Sequence, residues 1–133
     1  MNNAGVYTLF AGSIGAALSG ALVTPITDLD GMSAVTLEAA FKYGAGGASC
    51  IAIVVTSYDG GTTWRHVARF DFGTANATKL CNLQANTAKA IAAYADLNAE
   101  GVTDGLLGDR LAVILTSTGT YSDTTLAIRA AVR

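Results

Sequence analysis

Apolar and polar residues alternate with a period of two along much of this chain. Ser33–Tyr43 shows it most plainly: Val35, Leu37, Ala39, Phe41 and Tyr43 fall on one side, and Thr36, Glu38, Ala40 and Lys42 on the other. That is the period of a β-strand with one buried and one solvated face. Arg110–Ser117 repeats it with Leu111, Val113 and Leu115, and Thr124–Val132 with Leu126, Ile128, Ala130 and Val132. These two runs flank Thr118-Gly119-Thr120, so the chain is expected to close with a hairpin. In Trp64–Phe72 the inward set is Trp64, His66, Ala68, Phe70 and Phe72, against Arg65, Val67, Arg69 and Asp71. Cys50–Thr56 differs, being apolar on both faces and β-branched, which belongs in the middle of a sheet.

Elsewhere the pattern is weaker. Val6–Thr24 spaces its larger apolar residues among small ones; it reads as two short strands around a glycine-rich bend, with a helix over Ile14–Leu22 as the alternative. Thr78–Leu83 is a further short strand. Gln84–Asn98 is alanine-rich and reads as irregular chain with a short strand near Ala90–Tyr94, and Glu100–Asp109 as a glycine-rich loop with one helical turn. In total the chain predicts about seven to nine strands with frequent turn signals. The expected fold is all-β: a single-domain, jelly-roll-like β-sandwich with a glycine-rich loop before the C-terminal hairpin. Residues 28–133 form the sandwich. Residues 1–27 form strands or an arm, in the same domain or docked on a neighbouring subunit.

Between Cys50–Thr56 and Trp64–Phe72 stands Ser57-Tyr58-Asp59-Gly60-Gly61-Thr62-Thr63-Trp64. A carboxylate that accepts backbone N–H groups, followed by glycines free to take positive φ, makes a hairpin turn. Ser57, Asp59, Gly61, Thr63 and Trp64 match all the fixed positions of the Asp-box pattern, a structural turn in the proteins that carry it. No internal repeat accompanies it, which excludes the propeller in which such turns recur.

Composition changes the picture in one respect. Only 14% of residues are charged, where about a quarter is ordinary, so part of the surface is expected to be covered by other subunits. No charged side chain precedes Asp28, but that segment has no Lys or Arg before its apolar part and is broken by Gly12, Ser13, Gly15, Ser19 and Gly20. A signal peptide or membrane helix does not fit. The eight basic residues are scattered and form no stripe for nucleic acid. Cys50 and Cys81 lie too far apart for a CxxC pattern and read as two thiols in strands, with a disulfide between them or between subunits as the alternative.

Candidate chemistry is sparse. His66 is the one histidine, which rules out a multi-histidine metal site; its alternation sets it beside Trp64 and Phe70 as a core or interface residue. Asp28 with Asp30, and Asp104 with Asp109, read as turn caps because two carboxylates fall short of the oxygens that calcium takes. No catalytic, cofactor or metal residue is assigned, and no enzyme activity is expected. Tyr58 and Tyr121, at the two expected hairpin tips, are candidates for contact with a glycan or a partner.

The order and spacing of Thr56-Ser57-Tyr58-Asp59-Gly60-Gly61-Thr62-Thr63-Trp64, Gly73-Thr74-Ala75-Asn76-Ala77-Thr78-Lys79, Asp104–Leu111 and Thr116-Ser117-Thr118-Gly119-Thr120-Tyr121 resemble small structural proteins of tailed bacteriophages. The resemblance spans roughly Thr24 to Arg133. It implies a non-enzymatic virion component, a homo-oligomer that meets other virion proteins of capsid, neck or tail, with capsid decoration or another head-associated place favoured. From charge and hydropathy, no nucleic-acid or membrane partner is expected. The alternative is a carbohydrate-binding module of a host-recognition structure.

Overall fold

The computed structural model describes residues 4–133. In chain order the strands are β1 (Gly5–Ile14), β2 (Ala21–Leu22), β3 (Ala34–Lys42), β4 (Ala45–Gly46), β5 (Ser49–Thr56) and β6 (Arg65–Phe72). They continue with β7 (Ala77–Gln84), β8 (Gly101–Val102), β9 (Leu111–Thr118), β10 (Tyr121–Ser122) and β11 (Thr124–Val132). All pairing is antiparallel, in one sheet of order β1-β11-β3-β7, one of order β2-β9-β5-β6-β8, and a small ladder of β10 with β4.

The two large sheets pack face to face. Val35, Leu37, Ala39 and Phe41 from β3 and Leu126, Ile128, Ala130 and Val132 from β11 meet Cys50, Ala52 and Val54 from β5 and Leu111, Val113 and Leu115 from β9. The period-two readings of β3, β9 and β11 therefore match the buried faces. β5, apolar on both sides, lies between β6 and β9. At one end Phe41 stacks on Phe72 with centroids 4.9 Å apart and meets the edge of Tyr121 at 5.8 Å.

Eleven strands exceed the seven to nine expected, and the surplus has a simple origin. Seven strands run eight residues or longer; β2, β4, β8 and β10 are two residues each, too short for any periodicity to register. The strand expected near Ala90–Tyr94 is absent, as is the helical turn in Glu100–Asp109; the nearest strand is β8. The N-terminal segment is one long strand and one short one, and the helical alternative over Ile14–Leu22 is not adopted.

The expected C-terminal hairpin is not a hairpin. β9 pairs with β5 in one sheet, whereas β11 lies between β1 and β3 in the other. Thr118-Gly119-Thr120 carries the chain across the sandwich. Alternation tells which side of a strand is buried, and two strands on opposite walls of one core read like a hairpin pair. Among the described residues, β5 and β6 are the only consecutive strands that pair with each other.

The segment before β3 is woven into both sheets. β1 pairs with β11 along its length, with a bulge between Thr8 and Phe10, and buries Leu9 and Ile14. The chain then runs beside β9, where Val23 N–H donates to Val113 O, Ile26 and Leu111 exchange backbone bonds, and Ser117 N–H donates to Leu18 O.

The glycine tract Gly44–Gly47 carries β4 against β10. Gly47 has φ of 67°, and a Cβ there would clash with the Tyr121 ring. Only glycine permits that approach. It seats Tyr121 in the interior, 2% exposed, with its hydroxyl donating to Gly73 O at 2.8 Å.

Candidate interaction surface

The turn joining β5 and β6 is held by its own side chains. Buried Ser57 donates from Oγ to Asp59 Oδ1 at 2.9 Å and accepts Gly61 N–H at 2.9 Å. Asp59 also accepts Thr63 N–H on Oδ1 at 2.9 Å and the Thr63 hydroxyl on Oδ2 at 2.6 Å. Gly61 has φ of 93°, and a Cβ there would sit 3.5 Å from Trp64 Cζ2, so the indole lies over the turn. Thr56 clips the glycine-rich loop alongside: its hydroxyl donates to Arg110 O at 2.8 Å and accepts Gly108 N–H at 2.9 Å.

Those bonds to the Thr63 hydroxyl and N–H and to Ser57 lower the Asp59 carboxyl from the usual 3.8 to about 2. A carboxyl depressed by folding contributes stability that is complete above its unfolded value and is lost as pH falls through the folded one. Urea midpoints of the native chain and of Asp59→Ala are therefore expected to differ most at neutral pH and to converge between about pH 4 and about pH 2. A gap as wide at the acid end as at neutral pH would refute this role for Asp59.

β6 does not keep the simple alternation of its sequence. Val54 pairs with Ala68 and Val55 with His66, leaving Val67 as an extra residue in a β-bulge. The bulge puts the chain out of phase, so His66 shares a face with Arg69 and Asp71 instead of with Ala68, Phe70 and Phe72. This corrects the expectation that His66 belongs to the aromatic core face. The outward imidazole instead holds the irregular segment 85–100 as a strap beside β6.

Polar groups carry that strap. Leu97 N–H donates to His66 Nδ1 at 3.1 Å, His66 N–H donates to Tyr94 Oη at 2.7 Å, and Arg69 Nη1 donates to Leu97 O at 3.2 Å. Glu100 accepts Asp71 N–H at 2.9 Å and Lys79 Nζ at 2.6 Å, so one carboxylate ties β6 to β7. Lys79 and the backbone bond from Asp71 hold the Glu100 carboxyl below its ordinary value. Asp104 closes the strap's start by accepting Gln84 N–H, Gly105 N–H and the Thr87 hydroxyl. With Nδ1 engaged by Leu97, His66 acts as a clasp.

Two clefts border the strap. One, of about 380 Å³, lies between β6 and β7; its charged lining is internally neutralised, Lys79 with Glu100 at 2.6 Å and Arg69 with neighbouring Asp71 at 2.8 Å. The other, of about 300 Å³, lies between the β5–β6 turn and the strap, lined by Tyr58, Arg65, Lys89, Tyr94, Thr103, Leu106 and four alanines. Here Arg65 packs its guanidinium over the Tyr94 ring at 4.7 Å, and Tyr58 is 59% exposed.

No protein-family model and no curated protein matches the chain. The arrangement of its own side chains is thus what argues for function.

Of the two tyrosines singled out by sequence, Tyr58 stands in this second cleft and Tyr121 is buried at the other end of the sheet pair. The tip expected for Tyr121 is instead a crossover packed under Gly47, so Tyr121 is corrected to a core residue. Ser57, Asp59, Gly61, Thr63 and Trp64 make the turn beside the cleft. Among the described residues no group of three or more His, Cys, Asp or Glu side chains is placed to hold a metal ion. Burial pushes the Cys50 and Cys81 thiols up to about 11, so both are protonated near neutrality.

Arg65, Lys89 and Tyr94 have no sequence motif. Only the strap's return to β6 gathers them, from positions some two dozen residues apart. The signal that the sequence did hold was the unexplained tyrosine of the alanine-rich segment.

Proposed function

We propose that the protein is a non-enzymatic bacteriophage virion structural protein, present on the particle in many copies, with capsid decoration or another head-associated place preferred to neck or tail. The observation that carries this reading is the strand order. Leaving aside the two-residue edge strand β8, β1-β11-β3-β7 facing β2-β9-β5-β6 matches the order of an eight-strand jelly roll, an architecture that viral capsid domains use, and this supports the reading.

The outer face of the β1-β11-β3-β7 sheet adds support. Its rows present Val6, Thr8, Thr36, Ala40, Thr125, Ala127, Ala131 and Leu80, and among the described residues its only charges are Glu38, Lys42 and Arg129. Glu38 and Arg129 approach to 3.9 Å. A broad, mostly neutral face that exposes Val6 and Leu80 suits repeated contact with other subunits better than solvation alone, since depletion of charge marks the centres of interfaces. Self-association would make such a protein a symmetric homo-oligomer.

Size-exclusion chromatography with light scattering is expected to find multimers in solution, and mass spectrometry of purified phage particles to find the chain in them. A strictly monomeric protein absent from particles would defeat the reading. Jelly rolls also serve as lectin domains, and the exposed Tyr58 favours the carbohydrate-binding alternative as the second reading.

A further inference from the structure

We infer that the cleft between the β5–β6 turn and the strap binds an acidic sugar, a pyranose that carries a carboxylate. The first ground is charge. Arg69, Lys79, Arg110 and Arg129 each have a carboxylate within 4.0 Å; of the four cations with none among the described residues, Lys42, Arg65, Lys89 and Arg133, two share this cleft. Asp104 senses Lys89, but its oxygens are taken by Gln84, Gly105 and Thr87. Asp96, 68% exposed, faces His66 Nε2 at 3.8 Å outside the lining. Neither Arg65 nor Lys89 is in direct contact with a carboxylate, and Asp104 and Asp96 bear on the cleft only from its margins, so its half-enclosed space leaves a place for an anion to be supplied.

The second ground is shape and surface. Tyr58, 59% exposed, offers a flat ring for the C–H face of a sugar, with small alanine side chains and Thr103 beside it in the lining. Arg65 is already pinned over Tyr94 at 4.7 Å, so little side-chain freedom is lost when it engages a carboxylate in its planar fork. At about 300 Å³ the cleft stands at the small end of ligand sites, enough for a sugar ring. An acidic polypeptide would need a longer groove with backbone partners along it. A sugar site of this kind would serve a particle protein and a free lectin-like module equally.

Titration calorimetry with a galacturonic-acid tetramer, its neutral galactose counterpart and tetraglutamate separates the outcomes. Saturable binding of the galacturonic-acid tetramer is expected, about tenfold or more tighter than either control, and weaker at high salt. Tyr58→Ala and the double variant Arg65→Gln/Lys89→Gln are expected to reduce that affinity about tenfold or more, with urea midpoints within the range of ordinary surface substitutions. Absent binding, equal binding of the galactose or glutamate tetramer, or unchanged affinity in the folded variants would overturn the site. Multimer formation and presence in phage particles are read separately, so the virion proposal stands or falls without this one.

Discussion

A chain shortened to begin at Thr24 is expected to lose its cooperative unfolding transition. The missing residues include Leu9 and Ile14, 3% and 2% exposed, and partly bury Tyr7, Phe10, Leu18 and Val23 against the core. Each fully buried aliphatic side chain stabilises by roughly 1.5–3 kcal/mol, and whole domains are stable by only about 5–15 kcal/mol. Loss of β1 also strips one edge of β11 of its backbone partners and opens the interior between the sheets. Near-UV circular dichroism across a urea series checks this. A sharp transition like that of the full chain would mean that the segment is dispensable to the core, and hence free to act as an arm.

The second large effect is expected from Phe41→Ala, at about 3–5 kcal/mol of destabilisation. Phe41 is 2% exposed and touches both walls of the sandwich: it comes from β3, lies nearly parallel to Phe72 of β6 with an interplanar angle of 10°, and meets Tyr121 of β10 at 83°. Truncation leaves a cavity whose lining is pinned, because Tyr121 is held by its bond to Gly73 O and by the close backbone of Gly47. A site that cannot collapse gives a cost near the upper end of the range. Equilibrium urea unfolding measures it, and a loss under about 1 kcal/mol would show that the aromatic cluster relaxes freely.

Much of the strand content was legible, and for a definite reason. In β3, β9 and β11 every inward residue named is apolar, and apart from Ile114 of β9 the outward ones are small, polar or charged, so period two survives. The β5–β6 turn was legible because its hydrogen bonds all form within a few residues, from Ser57 to Thr63. Legibility failed where one residue changed the phase. Nothing in Arg65–Phe72 announces that Val67 bulges, because Val67 and Ala68 both end up buried and apolar, and so His66 was read onto the wrong face.

The cleft was less legible than the strands. Tyr58 was visible as a polar-tipped aromatic at a turn, but Arg65, Lys89 and Tyr94 come together only through the strap. Its sequence is rich in alanine, and its tethers reach back to β6: His66 to Tyr94 and Leu97, and Arg69 to Leu97. Such bonds join residues nearly thirty positions apart and leave no local pattern. Tyr121 shows the opposite error, since an exposed turn and a buried crossover share the same glycine and threonine signals.

By itself the sequence determined that this chain makes strands, which face of β3, β9 and β11 is buried, and where β5 turns back into β6. These are consequences of side-chain polarity and turn chemistry acting over a few residues. The tertiary structure alone decided which strands are neighbours, sending β9 and β11 to opposite walls and weaving β1 and the chain beside β9 into both sheets. Pairing in this sandwich is almost wholly between strands far apart in sequence, and a burial pattern with the same period on every strand holds no information about its partner.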